Sequence, residues 1–429
     1  RSEFKTWSLA AGAGSDNGLA GSVSVNRVSY VTEAAVGAGT SLVATNTVTV
    51  QATNDIGLQT LAGGAGFGED AGVGVGVAVA IVNPTTYATV GDNAVIDAGG
   101  DTLVRARTSL NPMAIPLGDI PLLPSAVDVM SIAAGGGASS SGNAVAGSLV
   151  VNVFTNDTLA SLGRGVLVNQ NAVAQAGQDV TIDAQDHSRI VSVAGALAVS
   201  FDSGSVSVGA GVDVGVVNKN TRATVGRGSQ IKASGDINIT TDSDEDIISV
   251  AASVGGGGGV ALSGSFSVYV LGTTTRSGTE NGSSILAPGV TLEAGDRVSV
   301  RADGQLDFIP VAGSLAISGS SAGVGISNTT LVHNDTVEAR IGDRSTVIAR
   351  GWGASVVAHS SEDVTSVAAA GSGASSAGVA GSAAVNILNE TTLARIGNGV
   401  SFNVAPSGLS LLRPDVLVQA DDTTNLITV

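Results

Sequence analysis

The chain has 429 residues, of which 60 are Gly and none is Cys, with 43% hydrophobic, 13% charged and 3% aromatic residues. The missing thiols exclude disulfide staples, thiolate metal sites and thiol catalysis, and a formal net charge of −17 works against a phosphate backbone, so no nucleic acid is expected as a partner. Low charge with high apolar content excludes a disordered chain, and the scarcity of aromatics implies an interior of Val, Ile, Leu and Ala.

The first sixty residues contain three phrases that return in the same order along the whole chain. An apolar run ends in Asn26, the box Thr32-Glu-Ala34-Ala-Val36-Gly37 follows, and the alternating strand Val48-Thr-Val50-Gln-Ala52 closes the unit. The second copy carries Asn83, Thr86 to Gly91 and Ala106, the third Asn152, Thr158 to Gly163 and Ala184, and the fourth Asn218, Thr221 to Gly226 and Thr241. In the fifth, Gly272 takes the Asn slot and the box at Thr275 to Glu280 has decayed. The sixth has Asn328, Val337 in place of Thr, and Gly342, and the seventh has Asn386, Thr392, Gly397 and Ala420.

From Ala52 to Ala420 the chain advances 368 residues in six steps, about 61 per step. A fixed period of this length marks a stacked repeat, in which each unit buries its apolar face against its neighbours. The chain therefore reads as a single array over 1–429. Its repeats fall at 1–59, 60–127 (with a Pro-rich insertion at 109–127), 128–190, 191–247, 248–308, 309–364 and 365–429.

The fourth repeat shows the unit most plainly. Val191 to Phe201 alternates with period two, Asp202-Ser-Gly-Ser205 is turn chemistry, and Val206 to Val217 alternates again. Two short strands follow, Ala223-Thr-Val225 and Ile237-Asn-Ile239, divided by Gly226, Gly228 and Gly235. Gly interrupts every window in which a helix could form. The expected fold is all-β, an elongated parallel β-solenoid (β-helix) of seven repeats. At roughly twenty residues per rung, each repeat makes about three rungs and the array a rod on the order of 100 Å long.

The two long runs fit either successive rungs of one flat face or a projecting antiparallel hairpin. Their Ala, Ser and Gly positions are expected to face outward, which favours a thin, laminated cross-section. The uncharged stretch Ile248 to Thr275 is long enough to cross a bilayer, but its alternation and its glycines at Gly255 to Gly259 are a strand pattern.

The recurrent Asn26, Asn83, Asn152, Asn218, Asn328 and Asn386 are expected to form a structural ladder at solenoid corners; the competing reading is a ligand-binding row. Gly37, Gly91, Gly163, Gly226, Gly342 and Gly397 are the repeat-turn glycines. The Pro-rich insertion is either a flap or a partner-contact loop presenting Met113, Ile115, Leu117, Leu122 and Leu123, and a smaller insertion runs from Pro406 to Pro414.

Catalytic chemistry is sparse. The three histidines, His187, His333 and His359, belong to no zinc-protease, nucleophile-elbow or phosphate-loop pattern, and Gly64-Ala-Gly66-Phe-Gly68 lies inside a strand run. No catalytic residue and no cofactor is expected. The one acidic cluster, Asp242, Asp244 and Asp246, could hold Ca²⁺ through alternate carboxylates, against a plain reading as a solvated turn. An alternative function, a polysaccharide-active β-helix lyase or hydrolase, needs carboxylates beside aromatic platforms, and Trp7 and Trp352 stand alone. An outer-membrane barrel needs aromatic girdles that 3% aromatics do not supply.

The Ala/Gly-rich runs, the Thr-x-Ala-x-Ile-Gly box, and strands introduced as Gly235-Asp236-Ile237 and Gly177-Gln-Asp179-Val180 make the chain similar to giant bacterial filamentous adhesins. It resembles the leukotoxin-type, filamentous-haemagglutinin-like repeat exoproteins over essentially its whole length. That resemblance implies a secreted or surface-anchored stalk in cell adhesion or biofilm contact, extracellular or at the bacterial cell surface. The expected partners are neighbouring repeats of one longer chain, other copies in fibres, and a host or bacterial surface reached by regions outside this piece. Neither end shows a capping element, which leads to the expectation of an interior segment of a longer protein.

Overall fold

A computed structural model of the chain describes residues 2–110, 113–114, 126–171, 175–284, 286–403 and 415–429. Among them there is no helix, and three parallel sheets run the length of the array. The fold is the expected all-β parallel solenoid. Its coil has a different pitch from the one the sequence suggested.

One repeat makes one turn of the coil. In the fourth turn, Val180–Ser200 runs out along the front sheet and Val206–Val225 returns along the back sheet. The short strand Gln230–Ala233 then closes the section before Ile237–Gly257 begins the next turn directly on top, Val180 beside Ile237. The expectation of three rungs per repeat and a rod near 100 Å is therefore corrected. The long runs are opposite walls of a single rung, so seven repeats give seven rungs. At about 4.8 Å per rung the stack is about 34 Å tall, while a twenty-residue wall extends about 66 Å.

The walls enclose a layered interior. At the closed end, where all three sheets meet, Val104, Ala106, Ala160, Leu162, Val166 and Val168 represent a continuous column of fully buried aliphatics. Midway along the section lies a second apolar column that includes Ile56, Leu58, Phe154, Ile190, Tyr269 and Phe308, with the Tyr269 and Phe308 ring centroids 5.1 Å apart.

Towards the far turn the two long sheets meet through glycine, serine and alanine. A Cβ on Gly64 would stand 2.3 Å from the Val75 carbonyl oxygen, one on Gly66 2.1 Å from that of Val73, and one on Gly68 2.2 Å from that of Ala71. Such contacts need backbones far closer than the ~10 Å of ordinary face-to-face sheets. The Ser253 hydroxyl, 2.8 Å from those of both Ser263 and Ser265, joins the walls in the same zone.

This lamination reverses the expected facing of the long runs. Ser207, Gly209, Gly211 and Asp213 point in, and Val206, Val208, Val212 and Val214 point out. The hydrophobic face changes sides at adjacent apolar pairs, one residue inward and one outward: Val217 with Val216, Ile190 with Val191, and Phe308 with Ile309. Inside, beyond these pairs, most positions are Gly, Ala or Ser, with Val150 an inward branched exception.

Candidate functional site

The repeat-turn glycines lie at the corner between the back and short sheets. Gly91, Gly163 and Gly226 donate to the carbonyls of Val36, Val90 and Leu162, one turn below each, and Gly397 donates to Ile341. A Cβ on Gly226 would lie 2.5 Å from the Gly163 carbonyl carbon, so the corners stack backbone on backbone. Glu280 fills the decayed fifth slot, donates its N–H to Val225, and places its carboxylate 3.0 Å from Arg164. Gly342 above it is held by the Thr279 hydroxyl at 2.7 Å.

The single Asn ladder does not form. Asn83 and Asn218 lie in an outward column of the back sheet with Ser29, Gly272 and Asn389. Asn26, Asn152 and Asn386 share an inward column, in which Gly215, Tyr269 and Leu331 separate the last two. Asn328 stands in a third column between Phe266 and Ala383. The apolar run before each Asn varies in length, so the same phrase lands at different register. The inward members bridge the walls: Asn152 accepts from Ser131 at 2.6 Å and donates to Ser192 at 3.1 Å.

Of the Pro-rich loop, Met113 lies on the two-residue strand Met113–Ala114, paired antiparallel with Ala126–Val127. Ile115, Leu117, Leu122 and Leu123 are outside the described residues, as is the insertion from Pro406 to Pro414.

The acidic run is not a turn. It sits mid-strand within Ile237–Gly257, and alternation divides it. Asp242 and Asp244 face out and flank His187 at 3.5 and 3.6 Å, while Asp246 lies 2.6 Å from Arg189. The hydrogen bond to Asp244 raises the His187 pKa against the opposing effect of burial. These three carboxylates thus answer basic neighbours on the surface instead of converging on one point.

Ser243 and Glu245 of the same run point inward, into a charged layer between the two apolar columns. There Lys219 lies 2.9 Å from Asp186 and 2.5 Å from Glu245, all three excluded from solvent. Burial pulls the ammonium down, but the two carboxylates outweigh it and hold Lys219 above its ordinary value. Lower in the layer the Thr108 hydroxyl is 2.8 Å from that of Thr86 and 2.7 Å from that of Thr158. Higher up, Thr273 donates to Asp335, and Ser360 Oγ lies 2.6 Å from Glu362 Oε1.

Burial, then the nearby Glu390, Asp335 and Asp422, push Glu362 up to about 8 although Ser360 donates to it. Sequence reasoning missed this layer. Its signal was parity: Lys219, Thr221, Ala223 and Val225 alternate on one face, which puts a lysine inside.

The outer surface of the laminated half is the other distinctive feature. On the front sheet the rows through Val191, Val193, Gly195, Leu197 and Val199 continue as Ile248, Val250, Ala252, Val254 and Gly256, then as Ile309, Val311, Gly313, Leu315 and Ile317, although Val191 and its neighbour Met130 are themselves covered in a small apolar cluster. On the back sheet Val206, Val208, Ala210, Val212, Val214 and Val216 continue as Val260, Leu262, Gly264, Phe266, Val268 and Val270. From the second turn to the seventh, no charged side chain among the described residues points outward within these bands.

The bands have polar borders. Arg189, Asp246, Asp307 and Asp363 form a charged row on the front, and polar turns such as Glu69-Asp70 and Asp202-Ser-Gly-Ser205 cap the tip. The small column Ala134, Gly195, Ala252, Gly313 makes a shallow apolar trough on the front face, with Leu197 and Leu315 along one side.

No protein-family model matches this chain, and no curated protein matches it in sequence.

Proposed function

We propose that this chain is a structural segment of an extracellular or surface-anchored bacterial adhesin, a stacked scaffold that associates with further copies of itself through its two apolar faces. The observation that carries this reading is the two-sided apolar band. A single turn contributes four to six outward Val, Leu, Ile, Phe, Ala or Gly positions per wall, and Leu197, Phe67, Ile317, Val270 and Ile326 are more than 40% exposed. Each band runs about 26–33 Å along the strands and about 29 Å up the six turns from the second to the seventh, so each face offers about 750–950 Å². That is comparable to the roughly 800 Å² per partner of a standard stable interface and exceeds the largest apolar patch of an ordinary monomer. Apolar area on two opposite faces supports an open-ended assembly over a closed dimer. The resemblance to filamentous adhesins gives such an assembly its setting in attachment or biofilm contact.

The test is the solution mass of the purified chain by light scattering across a concentration series, with electron microscopy of the same samples. The expected result is a mass that climbs with concentration and laminated particles. Leu197→Asp with Leu315→Asp should block one face and leave dimers, and adding Val212→Asp with Phe266→Asp should give monomers. A wild-type chain that stays monomeric at high concentration, or that associates only with lipid vesicles, overturns the reading.

A further inference from the structure

The charged layer holds a second group of carboxylates with no Lys or Arg paired to it among the described residues; the buried His333 lies 3.2 Å from Thr273, and burial pulls its pKa below the ordinary value. Register stacks Lys219, Thr273, Asp335 and Glu390 in one column of the back sheet. Facing it, Glu245, Leu306, Glu362 and Thr424 share one column of the front sheet, and Ser360 and Asp422 neighbour each other in the adjoining one. Where the fourth turn supplies the ammonium of Lys219 to Asp186 and Glu245, the sixth and seventh turns supply Asp335 and Glu390 beside Glu362. The cation of the lower site is replaced by more negative charge.

One carboxylate oxygen each from Glu362, Glu390 and Asp422 lies within 4.8 Å of the other two. Glu362 is 2% exposed. Its Oε1 is 2.6 Å from Ser360, and its Oε2 has no hydrogen-bond partner among the described residues. Glu390 repeats the pattern, with Oε2 accepting from Thr424 at 2.9 Å and a buried Oε1 left over. Thr392 donates to Asp422 at 3.3 Å, which orients that carboxylate. Converging anionic oxygens repel most where water is excluded, which here is at Glu362, and a buried acceptor without a donor costs its desolvation energy.

We propose that Glu362, Glu390 and Asp422 form a binding site for a divalent cation, Ca²⁺, between the seventh turn of the coil and the strand Asp415–Thr428 stacked on it, with Glu362 buried, Glu390 half-buried and Asp422 reaching solvent. The donor set is all oxygen, which selects a hard cation over a transition metal. The ligands come from three strands with irregular spacing, which suits the six to eight flexible oxygen contacts of Ca²⁺ better than the strict octahedron of Mg²⁺. The ion takes the part that Lys219 plays three turns below: it neutralises the polar layer and ties front wall to back wall.

The test uses the whole 429-residue chain, stripped with EDTA and titrated with CaCl₂ or MgCl₂ by isothermal titration calorimetry, with thermal melts at matched ionic strength. The expected result is one Ca²⁺ per chain, weaker Mg²⁺ binding, and a higher melting temperature in CaCl₂ than in NaCl. Glu362→Gln should weaken Ca²⁺ binding at least tenfold while melting no lower than the wild type in EDTA, because it relieves the repulsion. Asp242→Asn with Asp244→Asn, on the surface, should leave Ca²⁺ affinity unchanged. The proposal is overturned if the wild type takes up no Ca²⁺, if Glu362→Gln binds it as tightly as before, or if the surface pair abolishes binding instead.

Discussion

Lys219 Nζ lies 2.5 Å from Glu245 Oε1 across the interior of the coil, with the lysine side chain wholly buried and the glutamate 3% exposed. Two walls of different turns are thereby joined by charge at a depth where most of the interior is aliphatic. Removing one member of such a pair leaves an uncompensated buried charge, which typically costs more than the pair contributes when intact. Lys219→Met should therefore destabilise the chain by about 3–5 kcal/mol. Adding Asp186→Asn and Glu245→Gln to it should recover most of the loss. Denaturant melts followed by circular dichroism measure both, and a single variant that melts like the wild type would show the pair to be dispensable.

The glycine lamination predicts opposite outcomes for identical substitutions on the two sides of one sheet. A Cβ on Gly66 would stand 2.1 Å from Val73 O and 2.5 Å from Gly18 O, backbone atoms that cannot rotate away. Gly66→Ala should cost about 3 kcal/mol, because the walls must part. Gly195 and Gly313, on the outward face of the same sheet, have nothing within 4 Å of a new Cβ. Gly195→Ala and Gly313→Ala should change stability by no more than about 0.5 kcal/mol. Comparable losses at all three positions would rule out the close approach.

Asp213 gives the sign of one pH effect. It is fully buried and accepts from Tyr269 at 3.1 Å. Burial raises it to about 6, against hydrogen bonds from Ser192, Ser249 and Tyr269 that favour the carboxylate. A carboxyl whose folded value lies above its unfolded one stabilises the fold fully below the unfolded value near 3.8, and that contribution is lost as pH rises through about 6. The loss at pH 8 is on the order of 3 kcal/mol. Asp213→Asn should melt higher than the wild type at pH 8 and no higher at pH 4. Equal pH dependence of the two proteins would remove Asp213 as the cause.

Much of the architecture was legible because it rests on backbone geometry. Gly91, Gly163 and Gly226 recur once per repeat at the end of the same box, since a corner stacked backbone on backbone admits no side chain. The pitch was not legible: alternation in Val206 to Val217 reports a strand and its two faces, and says nothing of whether the next strand lies beside it or opposite. Nor was it clear which face was inside, because the larger residue of each alternating pair is normally buried. The doublets Val216-Val217 and Phe308-Ile309 held that information, as points where both faces carry an apolar residue.

The charged layer was hidden for another reason. Glu362, Glu390 and Asp422 are 28 and 32 residues apart in sequence, each beside Ser, Thr or Asn that reads as loop chemistry. Only the register of three strands makes them neighbours.

Because one repeat is one full circuit, the fourth circuit grips the fifth through twenty-one residue pairs in the front sheet, twenty in the back sheet and four in the short one. A tensile force along the axis must strain all of these ladders at once, since their hydrogen bonds lie parallel to the pull. A force along the walls shears them instead. The protein is thus anisotropic as a material, toughest in the direction in which repeats are added.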